Sequence, residues 1–148
     1  MEFFKVVLNE NSNANENQIV KCCLGNVLGN DGEIALYEYD EAVKKAKMFK
    51  GVVKLGKKIK HVYIMMNSRE GEFSTTVKEV HEINMIMYSN MTINEYADEV
   101  ARDYYEDGEV ELSPSGKEWL HNNGCIATSI MKVEEIDYED YQVLNKYL

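Results

Sequence analysis

The sequence predicts an α+β fold: a single domain over residues 1–148, with three or four helices packed on a mostly antiparallel sheet. Short β-branched and aromatic runs recur between Gly- and Asn-rich turn signals, which is the pattern of hairpin-linked strands. A capping box followed by one full apolar stripe marks a helix among them. The 45% hydrophobic content, with ten Tyr and four Phe, suffices for a core in a chain of 148 residues.

Glu2 to Leu8 (EFFKVVL) reads as the first strand. Asn9 to Asn17 is polar and Asn-rich, a loop. Gln18 to Leu24 reads as a second strand, hairpin-paired with the first. Gly25 to Gly32 (GNVLGNDG) reads as another loop, and Glu33 to Tyr37 as a short strand. Asp40 is the predicted N-cap of a helix carrying Ala42, Val43, Ala46 and Phe49 at helical spacing, with Gly51 as its left-handed cap. Val52 to Leu55 then extends, Gly56-Lys57 turns, Lys58 to Met66 extends again, and Phe73 to Val80 returns beside it. Ile83 to Tyr88 is nearly continuous in apolar residues and reads as a central strand.

Thr92 and Glu95 form the capping box. Ile93, Tyr96, Ala97, Val100, Ala101 and Tyr104 follow as an apolar stripe, and Glu95, Asp98, Glu99, Asp103 and Glu106 occupy the other face. This helix is predicted to stop at Gly108, with a strand over Glu109 to Leu112. Ser113-Pro114 opens a predicted short helix through Trp119 and Leu120. Cys125 to Val133 reads as a strand buried on both faces. Asp137 caps a last helix, with Ile136 and Tyr141 at staple positions and Tyr141, Leu144 and Leu148 facing inward. Gly51-Val52-Val53-Lys54-Leu55 resembles Gly108-Glu109-Val110-Glu111-Leu112 with inverted charge, although helix-Gly-strand is a common connection.

Charge is divided along the chain. Residues 1–69 carry eleven Lys/Arg and eight Asp/Glu, whereas residues 70–148 carry five and eighteen, giving the net −10. Lys44 to Arg69 contains no acid, and Glu95 to Glu111 holds eight acids and one Arg. Such asymmetry speaks to partners and association rather than to fold. No run approaches the about 18 apolar residues of a membrane helix, and the N-terminus lacks the basic flank of a signal peptide. Three Cys, two of them adjacent, make no disulfide framework. They read as buried small hydrophobes in a reducing, cytoplasmic setting. Fourteen Lys against two Arg, with fourteen Asn, suggest AT-rich coding.

The chain offers no catalytic motif and no cofactor fingerprint. His61, His81 and His121 lack metal-ligand spacing, there is no CxxC, and the acids lack calcium-loop spacing, so no metal site is predicted. The three histidines read as unrelated surface or half-buried residues. Cys125 lacks the helix N-terminus that would activate a thiol. Gly25 to Gly32 lacks the Lys-Ser/Thr ending of a phosphate loop.

Two constellations remain. Asp98, Glu99, Asp103, Glu106, Asp107 and Glu109 form a candidate surface for a basic protein partner. Lys54, Lys57, Lys58, Lys60 and Arg69, with Tyr63 nearby, form a candidate phosphate or small-ligand site. Nucleic-acid binding is disfavoured by the net −10 and the scarcity of Arg, and Lys also protects strand edges. The expected function is that of a small acidic, non-enzymatic binding protein, of the kind by which a phage or mobile element inhibits a basic, nucleic-acid-handling host protein. The alternatives are a nucleotide- or metabolite-binding module using the Lys-rich segment, and a structural subunit that self-assembles through its charge poles.

Overall fold

Strand β1 (Glu2–Leu8) forms where its β-branched and aromatic run predicts. The computed structural model describes residues 1–23, 25–88, 90–105 and 109–148. These gather into two compact units, Met1–Ile59 with Asn84–Met87, and Lys60–Ile83 with Tyr88–Leu148.

In the first unit β1 is followed by a 3-10 turn at Glu16–Gln18, then β2 (Ile19–Cys22), β3 (Gly25–Asn30), β4 (Glu33–Ile34), helix α1 (Tyr39–Phe49) and the beginning of β5 (Gly51–Glu70). The strand order is β2-β3-β1-β5, with β4 on β3, and these pairs run antiparallel. Alternation along β1 puts Phe4, Val6 and Leu8 on one face. There Val6 and Leu8 pack with Leu28, Ala42 and Ala46, and Phe4 closes the edge of that core. Ala42 and Ala46 lie one helical turn apart, and their small side chains let α1 approach the strands closely.

Several local signals are overridden in this unit. The sequence predicts β2 beside β1, but β2 pairs with β3, and β3 pairs with β1. The segment read as a Gly/Asn loop, or as a weak phosphate loop, is therefore strand β3, with Val27 and Leu28 buried. Gly29 serves there as a close-approach residue: a Cβ would collide with the Val20 side chain and the Glu33 carbonyl. Helix α1 starts after Glu38 rather than at Asp40. Asp40 and Glu41 instead lie in its first turn, where negative charge suits the helix dipole. Lys50, not Gly51, takes the left-handed conformation, at φ 57°. The predicted turn at Gly56-Lys57 is a bulge. Phe3 lies opposite Lys57 and Phe4 opposite Leu55, which leaves Gly56 as the extra residue within one continuous strand. The predicted strand over Ile83 to Tyr88 also fails. Asn84 Oδ1 accepts the Ile86 N–H at 3.1 Å, and the chain turns.

The second unit holds the rest of β5, then β6 (Phe73–Asn84) up to Ile83, α2 (Ile93–Arg102), β7 (Val110–Leu112), β8 (Trp119–His121), β9 (Ile126–Ile136) and α3 (Tyr138–Tyr147). Its strand order is β6-β5-β9-β8-β7. Val62, Ile64, Met66, Ile83 and Ala127 are buried, together with Ala97 and Ala101 of α2. Thr128 Oγ1 on β9 donates to the Ala101 carbonyl at 2.7 Å and lies 2.9 Å from His121 Nε2, so buried polar groups also tie α2 to the sheet.

The short helix predicted from Ser113 is absent. The chain turns at Gly116 (φ 73°), and Ser113 and Glu118 close the β7–β8 hairpin, with Ser113 N–H donating to the Glu118 carbonyl at 2.9 Å. Asn122, Asn123 and Gly124 all take positive φ, 50°, 56° and 84°, in the four-residue turn between β8 and β9, where Asn and Gly tolerate the left-handed region best. The described residues thus contain three α-helices. Asp137 caps α3 as predicted, accepting Asp140 N–H at 2.8 Å, but Leu148 is exposed rather than inward-facing. Gly108, the predicted stop of α2, lies outside the described residues, but the helix already ends at Arg102, with Asp103 as its C-cap. Among the described residues, no helix is long and apolar enough to cross a membrane.

Candidate functional site

Helix α2 begins as its capping box predicts. Thr92 Oγ1 accepts the Glu95 N–H at 3.1 Å. The same hydroxyl donates to the Glu95 carboxylate at 3.1 Å, so the return bond of the box lands on the side chain of Thr92. Most of the stripe is as predicted: Ala97 and Ala101 are fully buried, while Glu95, Asp98, Glu99 and Asp103 are exposed; Tyr104, the predicted last member of the stripe, lies beyond the helix and is exposed.

These acids have different surroundings. Asp98 accepts the Trp119 indole N–H at 2.9 Å, and Arg102 lies over the same ring at 5.9 Å from its centroid. Asp98 therefore helps hold β8 against α2. Glu99 and Asp103 instead border a depression of about 430 Å³, with Glu79 of β6 also in its lining. Tyr88, Tyr96 and Tyr104 complete most of the lining, and Val100 lies between the helical residues. Tyr96, Glu99 and Val100 stand on α2, at i, i+3 and i+4, and Asp103 and Tyr104 come from its C-cap and the bend that follows. Glu109 is exposed beside a separate recess, with Glu111 and Leu120. Glu106 and Asp107 lie outside the described residues.

A hydrogen-bond chain fixes two sides of the depression. Glu79 and His81 share a face of β6, two residues apart. His81 Nε2–H donates to the Glu79 carboxylate at 2.7 Å, and His81 Nδ1 hydrogen-bonds the Tyr96 hydroxyl at 2.9 Å. Burial pushes the Tyr96 pKa above 10.0, and the nearby Tyr88 and Glu79 push it the same way. The raised pKa keeps the phenol protonated, the opposite of what a tyrosinate nucleophile needs. Tyr88 meets Tyr96 edge-to-face, with centroids 5.5 Å apart and planes at 80°. Sequence reading misses this grouping. Its one local signal is the Glu79–His81 spacing on a strand.

The basic candidates are spread out. In the first unit Lys54 lies directly opposite Lys5, Lys57 lies opposite Phe3, and Lys58 pairs with Glu2 at 3.9 Å. In the second unit Lys60 pairs with Glu135 at 3.6 Å, and Arg69 reaches both Glu118 oxygens at 3.3 Å. Nine residue steps along β5, about 30 Å, separate Lys60 from Arg69.

Two histidines are more enclosed than the sequence predicts. His61 is buried, 3.1 Å from Glu82, with the rings of Tyr138 and Tyr141 at 5.4 and 4.4 Å. His121 is fully buried beside Thr128 and Tyr105. The cysteines go the other way. Cys23 and Cys125 are exposed and Cys22 half-buried, because all three sit at or beside hairpin turns. Among the described residues, no group of three or more His, Cys, Asp or Glu is placed to hold a metal ion. No family model, curated protein or solved structure matches this chain.

Proposed function

We propose that this is a non-enzymatic binding protein whose acidic α2 side engages a basic polypeptide partner. The observation that carries the reading is the convergence of Glu79, Glu99 and Asp103 on one concave, tyrosine-lined surface. Residues 70–148 carry eighteen Asp/Glu against five Lys/Arg, which adds a long-range field of the same sign. Complementary charge accelerates encounter and orients a basic partner. Nucleic-acid-handling proteins carry basic surfaces of this kind, and an acidic protein seated on one would block it.

A phosphate-binding reading of Lys54, Lys57, Lys58, Lys60 and Arg69 has less support. Lys58, Lys60 and Arg69 each face a carboxylate, and Lys60 and Arg69 are too far apart to share a small ligand.

The test is binding to a decaarginine peptide by titration calorimetry. Affinity is expected to fall steeply from about 0.1 M to about 1 M salt, as the screening length drops from about 10 to about 3 Å. The triple variant Glu95→Lys, Glu99→Lys, Asp103→Lys is expected to lose binding. Undiminished affinity in that variant would sink the proposal.

A further inference from the structure

We infer that the depression beside α2 is an arginine-reading site: it receives the guanidinium of one side chain of the basic partner. The inference rests on the binding function proposed above and names the place where that partner is recognised.

The chemistry of the lining selects a cation. Three carboxylates, Glu79, Glu99 and Asp103, line the space, and among the described residues no Lys or Arg lines it. Tyr88, Tyr96 and Tyr104 add aromatic rings, and a cation is attracted by the quadrupole of such a ring. The volume of about 430 Å³ falls within the range of small-ligand sites. A guanidinium matches the lining better than an ammonium. It is planar and stacks on rings, it presents a fork of donors to several carboxylates, and it is more weakly hydrated. The strongly hydrated, point-like ammonium of lysine gains less from flat aromatic walls.

The site is also held in place before any ligand arrives. Glu79 is fixed by His81, which is fixed in turn by Tyr96. Tyr96 and Tyr88 lock each other edge-to-face. Ordering these side chains therefore costs little at the moment of binding, which favours affinity.

The experiment is an NMR titration of the whole chain with N-acetyl-arginine amide, with the neutral citrulline analogue as control. Saturable shifts are expected at Glu79, Tyr88, Tyr96, Glu99 and Tyr104 with the arginine compound alone. Equal shifts with citrulline, or shifts confined elsewhere, would overturn the inference. The double variant Tyr88→Leu, Tyr104→Leu is then titrated with decaarginine after its amide spectrum shows α2 intact. A loss of about 5- to 30-fold is expected. If that variant binds decaarginine like the parent while the triple charge reversal does not, the acidic-surface function stands and the arginine site falls. If the parent fails to bind decaarginine at all, both fall. Concentration-dependent self-association that disappears in the tyrosine variant would assign the site to a second copy of the chain, and would overturn the choice of a foreign partner.

Discussion

The Asp98 carboxylate accepts the Trp119 indole N–H at 2.9 Å and so joins helix α2 to strand β8. A residue that reads as part of a solvated acidic face thus has a structural role. Asp98→Ala is expected to destabilise the fold by about 1 kcal/mol, less than is usual for a charged hydrogen bond because the pair is exposed. Decaarginine affinity should fall less than in Glu99→Ala. Urea midpoints and calorimetry on the two variants check this, and the reverse ordering would refute the distinction.

Thr128 makes the corresponding connection inside the second unit, donating to the Ala101 carbonyl while contacting His121. Thr128→Val keeps the shape and removes the hydroxyl, leaving the Ala101 carbonyl with the longer bond from Tyr104 N–H at 3.5 Å and taking the hydroxyl partner from buried His121. The expected cost is about 1–3 kcal/mol, with most of it recovered in Thr128→Ser. Equal urea midpoints for Val and Ser would show that packing, not the hydrogen bond, sets the stability at this position.

The parts of the fold legible in the sequence are those that local chemistry decides. Thr92 and Asp137 cap their helices because a short oxygen side chain satisfies the first-turn N–H groups wherever the helix sits. Strand β1 is legible from its β-branched residues. Gly29 and Gly56 mislead because their meaning is set by residues on the strands they pair with. Gly29 is required by Val20 and Glu33, and Gly56 by the β1 register. The same holds for the candidate site. Glu99 and Asp103 are visible as helix acids, but Glu79 and Tyr88 come from a strand and a turn that no helical period connects to them.

Gly29 gives a direct check on that account. A Cβ there would overlap the Val20 side chain and the Glu33 backbone, and backbone cannot rotate away. Gly29→Ala is expected to destabilise the first unit by about 1–3 kcal/mol through overpacking. Hydrogen exchange should show lost protection in β2, β3 and β4. Wild-type exchange there would mean that the strands open at no cost.

Tyr96 predicts a pH dependence with a definite sign. Its pKa is raised above 10.0, chiefly by burial, so the folded state holds the phenol proton more tightly than the unfolded chain does. The stability it contributes is complete below about pH 10 and is lost as pH rises through the folded value. Tyr96→Phe should therefore flatten the decline of the melting temperature above about pH 10, while lowering stability at neutral pH by about 0.5–1.5 kcal/mol through the lost bond to His81. Parallel profiles for the two proteins would remove Tyr96 as the titrating group.

Lys54 tests whether the basic segment has a use of its own. It lies directly opposite Lys5 on neighbouring antiparallel strands, and like charges in that relation repel. Nothing in the fold calls for such a pair, so reversing one member should relieve it. Lys54→Glu is expected to stabilise the protein by about 0.2–1 kcal/mol at low salt, through a new cross-strand ion pair with Lys5. The gain should shrink as salt rises, because the two side chains are not fully shielded from solvent. Urea midpoints at two salt concentrations measure it. Should the substitution instead destabilise the chain in phosphate buffer but not in an uncharged buffer, an anion bound across Lys5 and Lys54 would explain the result. That outcome would return the phosphate-binding reading to first place, because the repulsion would then be the unliganded state of a site.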